Sequence, residues 1–286
     1  MNTQTASVTT RIFSGNTRVA AIPVHDRGFA YGDGLFETMR VHRGTVPWWD
    51  AHWTRLAVGA QRMRLRLPQR EQALTEATKL FDDAGDGVLK LVVSRGIGAR
   101  GYAVPADNEP TWVLLRHRLP PPVAESGMVL RWCSTRLALQ PMLAGLKHCN
   151  RLEQVLARHE WHDPAAVDTD AGEGLLCDTE DSVVSATTAN LFVLRDGRWL
   201  TPLLDRCGVA GICRDWWLRD LGATEIRLSV EDVETADAVV LTNAVRGILG
   251  VARLGARAWP PHPAVGEVQR RLALAHPGFA NDVETL

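Results

Sequence analysis

The stretch RLPPPVAESG (118–127) constrains this 286-residue chain more than any other. Three consecutive prolines lack backbone donors and hold φ at about −65°, so they cannot lie inside a helix or a central strand. They favour an extended spacer instead. The chain must build its structure on either side: a small domain over 1–117, a linker over 118–127 and a larger domain over 128–286.

In the first part, Gly28, Gly32 and Gly34 punctuate a loop before the β-rich run Leu35–Val41, and Arg43-Gly44 reads as a hairpin turn. Asp50 reads as the N-cap of a helix through about Leu65, with Trp53, Leu56, Ala60 and Met63 on one face. A second helix follows Pro68, with Leu74, Ala77, Leu80 and Phe81 apolar and Gly85 or Gly87 ending it. GVLKLVVSRG (87–96) and TWVLLRH (111–117) read as strands. Beyond the linker, MVLRWCSTR is a strand, and Leu152, Val155, Leu156 and Trp161 mark an amphipathic helix. GLLCD, SVVSATTANLFVLRDG and RWLTP read as successive hairpin strands, followed by a helix over 212–221 and a β-rich region over 225–251. Mixed strands and helices on both sides predict two α/β or α+β domains.

Hydrophobic and charged contents of 45% and 23% are those of a soluble globular protein. A net charge of −1 gives no electrostatic reason to expect nucleic acid or membrane as partner. No apolar run reaches bilayer-spanning length, and the N-terminus lacks a secretory pattern. Five scattered cysteines without a CxxC pair suggest reduced thiols in a cytoplasmic protein and no metal site.

Lysine is scarce. Of 32 basic residues only Lys79, Lys90 and Lys147 are lysines, and the other 29 are arginines. Arginine stays protonated and cannot condense with a carbonyl; a deprotonated lysine amine can. By rarity alone Lys147, in GLKHCNRLEQV (145–155), is either a residue kept for such chemistry or one of three lysines on a solvated loop. Lys90 reads as a solvent-facing strand residue.

The blocks YGDGLFET, HWTRL, GLKHCNRLEQV, ATTANLFVL, CGVAGICR and LTNAVRG occur in this order over residues 20–251. Together they resemble the class IV (fold type IV) pyridoxal-phosphate enzymes. The GLKHCNRLEQV and SRGIGARGY runs are nearest the branch that acts as lyases on aminodeoxychorismate. The resemblance implies a small N-terminal sheet with helices and a larger β-rich pseudo-barrel domain. It also implies pyridoxal 5'-phosphate as cofactor, a homodimer, and the formation of 4-aminobenzoate and pyruvate. Lys147 would anchor the cofactor and move the proton, with Thr38 assisting. Arg55, Gly211, Ile212, Thr242 and Asn243 would hold the phosphate; a glycine turn at a helix N-terminus is also, by itself, an anion site. Ser185 and Asn190 would shape the pyridine side. Arg95 and Arg100 would meet substrate carboxylates, and Tyr31 would line the pocket.

One position departs from the pattern. The family's glutamate lies five residues before the asparagine of its NLF block; here that position is Ser185, before Asn190. A serine cannot hold a proton on the pyridine nitrogen by charge pairing, although it can donate a hydrogen bond. A class IV transaminase for D-amino or branched-chain amino acids, and a non-catalytic paralogue, stay open as alternatives.

Overall fold

The computed structural model describes residues 9–124, 126–163, 168 and 170–280. The first eight residues and Glu125 of the expected linker lie outside them. The chain divides into two compact units: residues 1–119 with 146–150, and residues 120–145 with 151–286. The first break falls two residues beyond the expected end of the small domain. The return of 146–150 to unit 1 corrects the expectation that Lys147 belongs to the C-terminal domain.

Unit 1 carries β1 (Thr10–Ser14), β2 (Thr17–Val19), α1 (Arg27–Tyr31), β3 (Gly34–Val41), α2 (Trp49–Met63), α3 (Arg70–Thr78), β4 (Gly87–Ser94) and β5 (Thr111–His117). The strands form one antiparallel sheet in the order β2-β1-β5-β4-β3. Alternation places Leu35, Met39 and Val41 of β3 and Leu89, Leu91 and Val93 of β4 in one core with Leu56 and Ala60 of α2 and Trp112 of β5. The even-numbered residues of β3, Phe36 and Thr38 among them, point to the opposite face. Arg43 and Gly44 both have positive φ, and His42 and Thr45 exchange backbone hydrogen bonds around them, as a two-residue hairpin loop requires.

The helix ends differ from expectation. Trp48, not Asp50, caps α2, and Asp50 lies in its first turn, where it accepts from Arg70. Helix α3 stops at Thr78, short of Gly85; Leu80 and Phe81 are buried beyond it, and Leu74 is exposed.

Unit 2 carries β6 (Met128–Leu137), α4 (Leu152–His159), β7 (Glu173–Asp178), β8 (Val183–Ala186), β9 (Asn190–Arg195), β10 (Arg198–Pro202), α5 (Ile212–Asp220), β11 (Thr224–Ile226), α6 (Val230–Glu234), β12 (Ala238–Asn243), β13 (Gly247–Leu254), β14 (Arg257–Ala258) and α7 (Pro263–Ala275). Its strands run in the order β11-β10-β9-β12-β13-β6-β7-β8, with β14 beside β13. The pairs β10–β11, β13–β6 and β6–β7 are parallel and the rest antiparallel. The hairpin strands expected from GLLCD to RWLTP are β7 to β10. Strand β9 is buried along Asn190–Leu194, which makes NLFVL a central strand. Helix α4 forms, but its expected apolar face (Leu152, Val155, Leu156) is exposed in the single chain.

Candidate active site

Unit 1 holds the lysine. Residues 146–150 lie along the free edge of β3. The Phe36 amide donates to the Lys147 carbonyl at 2.9 Å and the Cys149 amide to the Gly34 carbonyl at 2.9 Å, with His148 bridged to Leu35. This pairing draws the segment into unit 1. It also puts the Lys147 Nζ 4.4 Å above the Phe36 ring centroid.

The same ring takes a second lysine. Lys90 Nζ lies 5.2 Å from its centroid, and Lys90 is the cross-strand partner of Thr38. Alternation from the core residues Leu89 and Leu91 turns half-buried Lys90 away from the core, as the sequence reading has it, onto the face that carries Phe36 and Thr38. Thr38 is half-buried there, with no hydrogen-bond partner for its hydroxyl among the described residues.

Beneath this face lies a buried charge cluster. Glu37 points into the core and is 1% exposed. Its carboxylate accepts from both Nε (2.9 Å) and Nη2 of Arg55 and from His52 Nδ1 (2.6 Å). Burial alone would push the Glu37 carboxyl up; the Arg55 charge and the His52 N–H outweigh it and hold it at about 2. His52 is pushed below its ordinary value, first by burial and further by the Arg55 and Lys147 charges, against the pull of Glu37. Glu37 is therefore an anion and His52 a neutral donor, and together they fix the plane of the Arg55 guanidinium. Arg55 was legible in the sequence; Glu37 and His52 were not.

Unit 2 holds the turn that the sequence reading expects to bind an anion. Two residues before Lys147, the Gly145 amide donates to the Gly208 carbonyl (3.0 Å) and its carbonyl accepts from Ala210 (3.1 Å). The turn 208–211 is so fastened to the chain that leads into the lysine. Gly211 is the N-cap of α5, and its only room is for hydrogen: a Cβ there would stand 2.0 Å from Asn190 Oδ1. Asn190 Nδ2 in turn donates to the Val209 carbonyl at 2.8 Å. Thr242 pairs with Asn190 across β12 and β9, and its fully buried hydroxyl has no protein partner among the described residues. Asn243 Oδ1 accepts from the amides of Val245 (3.0 Å) and Arg246 (2.8 Å), which leaves its Nδ2 as the outward donor. Glycine amides, an orphaned hydroxyl and a side-chain amide form a donor set for an anion.

Ser185 pairs with Leu176 in the β7–β8 hairpin and is buried, without a partner for its hydroxyl among the described residues. No register shift brings a carboxylate to it from the hairpin tip. Asp178 accepts there from the amides of Glu180 (2.9 Å) and Ser182 (3.0 Å), while Glu180 and Asp181 reach out to Arg206 and Arg136. The buried carboxylate missed by the sequence reading is Glu173 of β7, which accepts from both Thr187 and Thr188 hydroxyls and so fixes the turn ahead of Asn190.

Of the three expected substrate residues, Arg95 is corrected. It is buried, with Nε and Nη2 on Asp33 (2.8 and 3.0 Å) and further donors on the Arg64 (2.7 Å) and Met63 (2.9 Å) carbonyls. Its guanidinium is committed to its own unit. Arg100 is exposed on the loop after β4, and the Tyr31 hydroxyl accepts from the Gly101 amide of that loop at 3.0 Å.

Residues 34–254, which run from β3 of unit 1 to the end of β13 in unit 2, match the amino-transferase class IV family, and the chain belongs to it. Among its relatives, the aminodeoxychorismate lyase of Vibrio harveyi is 32% identical over 262 residues, 88% of this chain and 94% of that one. The crystal structure of 4-amino-4-deoxychorismate lyase from Pseudomonas aeruginosa superposes with a TM-score of 0.82 at 38% identity, covering 92% of this chain and 98% of that chain. The branched-chain amino acid aminotransferase of Escherichia coli shares the fold at a TM-score of 0.78 and 19% identity, covering 96% of this chain and 97% of that one.

Proposed function

We propose that this chain is a pyridoxal-phosphate-dependent lyase that converts 4-amino-4-deoxychorismate to 4-aminobenzoate and pyruvate, and that it works as a homodimer. The observation that carries the reading is Lys147, one of three lysines, hydrogen-bonded through its backbone along β3 with its amine over Phe36. The lyase relatives at 32% and 38% identity set the substrate.

Bound pyridoxal phosphate supplies a carbonyl for an amine and a ring that accepts electron density from the carbon next to that amine. The residues present fit it. Lys147 supplies the amine. Arg55, its plane set by Glu37, supplies a bidentate cation for a phosphate, and the Gly211 and Ile212 amides, the Thr242 hydroxyl and Asn243 Nδ2 supply neutral donors. With the cofactor in place, the Lys147 amine would be the base for the ring proton of the substrate. Thr38, on the same strand face with an uncommitted hydroxyl, orients that transfer. Loss of the proton and departure of enolpyruvate leave an aromatic ring, and aromatisation supplies driving force that amino transfer lacks. Ser185, in place of a carboxylate, suits a reaction that needs a weaker electron sink.

A coupled assay tests the reading. Aminodeoxychorismate is generated in situ and 4-aminobenzoate is followed by fluorescence. Product from the wild type that disappears in Lys147→Ala supports the lyase. Bound cofactor without product, together with amino transfer from a panel of amino acids, would replace it with a class IV transaminase. Sedimentation at about twice the 31.5 kDa chain mass is the expected dimer result.

A further inference from the structure

The loop after β4 is held by one buried arginine that the catalytic reading does not use. Arg27, in the first turn of α1, is 4% exposed. Its Nε donates to Asp33 at 2.8 Å. Its Nη1 donates to the carbonyls of Gly101 (3.0 Å) and Ala103 (3.2 Å), and its Nη2 to that of Tyr102 (3.4 Å). Three successive carbonyls more than seventy residues away are thus gathered by one rigid fork of donors.

Further contacts tie the same loop to α1. The Arg27 amide donates to the Gly96 carbonyl (2.9 Å), the Gly98 amide to the His25 carbonyl (3.2 Å) and the Gly101 amide to the Tyr31 hydroxyl. The Arg27 guanidinium also lies 5.0 Å from the Tyr31 ring centroid. Residue 98 is a glycine because the arginine stem runs past it: a Cβ there would stand 2.7 Å from Arg27 Cδ and 2.9 Å from Cγ. Asp33 balances the cluster, being ionised and shared with Arg95.

Within this framework Arg100 and Tyr102 are exposed. Carbonyls held from below and side chains turned outward describe a preset binding loop, which spares a ligand the cost of ordering it.

We propose that Arg27 is a positioning residue for substrate: it sets the conformation of residues 98–103 in which Arg100 is presented to a substrate carboxylate, and so governs substrate affinity rather than turnover. The inference rests on the reading of Arg100 as a substrate residue.

Four holoenzymes test it: wild type, Arg27→Met, Arg100→Met and the double variant. Arg27→Met is expected to raise KM for aminodeoxychorismate about tenfold with kcat nearly unchanged, as loss of ground-state binding does. Arg100→Met should do the same, and the double variant should be no worse than the weaker-binding single, because Arg27 acts through Arg100. Arg27→Lys should recover little, since a point charge cannot span Asp33 and three carbonyls.

The second readout needs no activity: tryptic cleavage after Arg100, mapped by mass spectrometry, should be much faster in Arg27→Met while the bound-cofactor absorbance stays as in the wild type. Should Arg27→Met fail to fold, Gly98→Ala displaces the arginine stem and carries the same expectation. Wild-type KM and wild-type cleavage in Arg27→Met would overturn the proposal, and so would fully additive KM effects. A wild-type KM in Arg100→Met would overturn the presentation of Arg100, and the cleavage rates would still decide whether Arg27 orders the loop. If the wild type makes no 4-aminobenzoate, the proposed function fails and unchanged cleavage in Arg27→Met remains the result that refutes the anchor.

Discussion

Glu37 is a carboxylate in a core position, and its two partners are what make it tolerable there. Removing one partner of a buried ion pair leaves the other charge uncompensated. Arg55→Met is therefore expected to cost about 3–5 kcal/mol of stability as well as phosphate affinity, read by urea unfolding of the cofactor-free chain. The cluster also sets a pH dependence. His52 titrates below its ordinary 6.5, so its contribution to stability is complete above that value and lost as pH falls below it. Glu37 is depressed from 4.5 to about 2, so its contribution is present above 4.5 and lost as pH falls towards 2. Unfolding midpoints should fall in two stages on acidification, and His52→Gln should shrink the upper stage, to which half-buried His276 also contributes, and leave the lower one. Lys147 drew notice in the sequence by its rarity, and Arg55 only through the family resemblance. Glu37 had a signal that went unread: it stands in phase with Leu35, Met39 and Val41, where a charge breaks an apolar alternation.

At the level of elements, the strands and helices around the site follow their local pattern closely, and what the pattern could not supply is register and closure. The α5 start was readable from GVAGICR, but that Asn190 fills the space at Gly211 depends on β9 lying beside that turn. Gly211→Ala must push Asn190 away or move the turn. Its expected effect is a loss of pyridoxal-phosphate affinity of at least about tenfold, the worth of one good charge-assisted hydrogen bond, measured by equilibrium dialysis. The β7–β8 hairpin makes the second case. With Glu180 and Asp181 engaged at its tip, and Ser185 opposite Leu176 despite the register shift at Leu176/Cys177, no carboxylate of the tip reaches the serine. Ser185→Glu should therefore raise amino transfer from an amino acid to a 2-oxo acid. A variant that gains none and only loses cofactor would sink the idea that this serine favours lyase chemistry.

On the scale of the molecule, the proline linker marked the first division of the chain, and nothing local marked the second. Residues 146–150 rejoin unit 1 through strand pairing at the edge of β3, a long-range choice that sequence windows do not contain. An edge strand left unpaired is a template for association. A fragment ending at Leu119 should accordingly form large, open-ended aggregates, whereas the full chain should stop at the dimer, as light scattering at matched concentration would show.

The same pairing has a consequence in time. A ribosome releases β3 well before the segment that seals it. At roughly 5–20 residues per second, the thirty or so residues from Leu119 to Asn150 take about two to six seconds to make. During that interval the nascent sheet is open along one side, and the strip that closes it is the one that brings Lys147. The lysine and the seal arrive together, so each new chain gains that residue in the same step that closes the edge of its sheet.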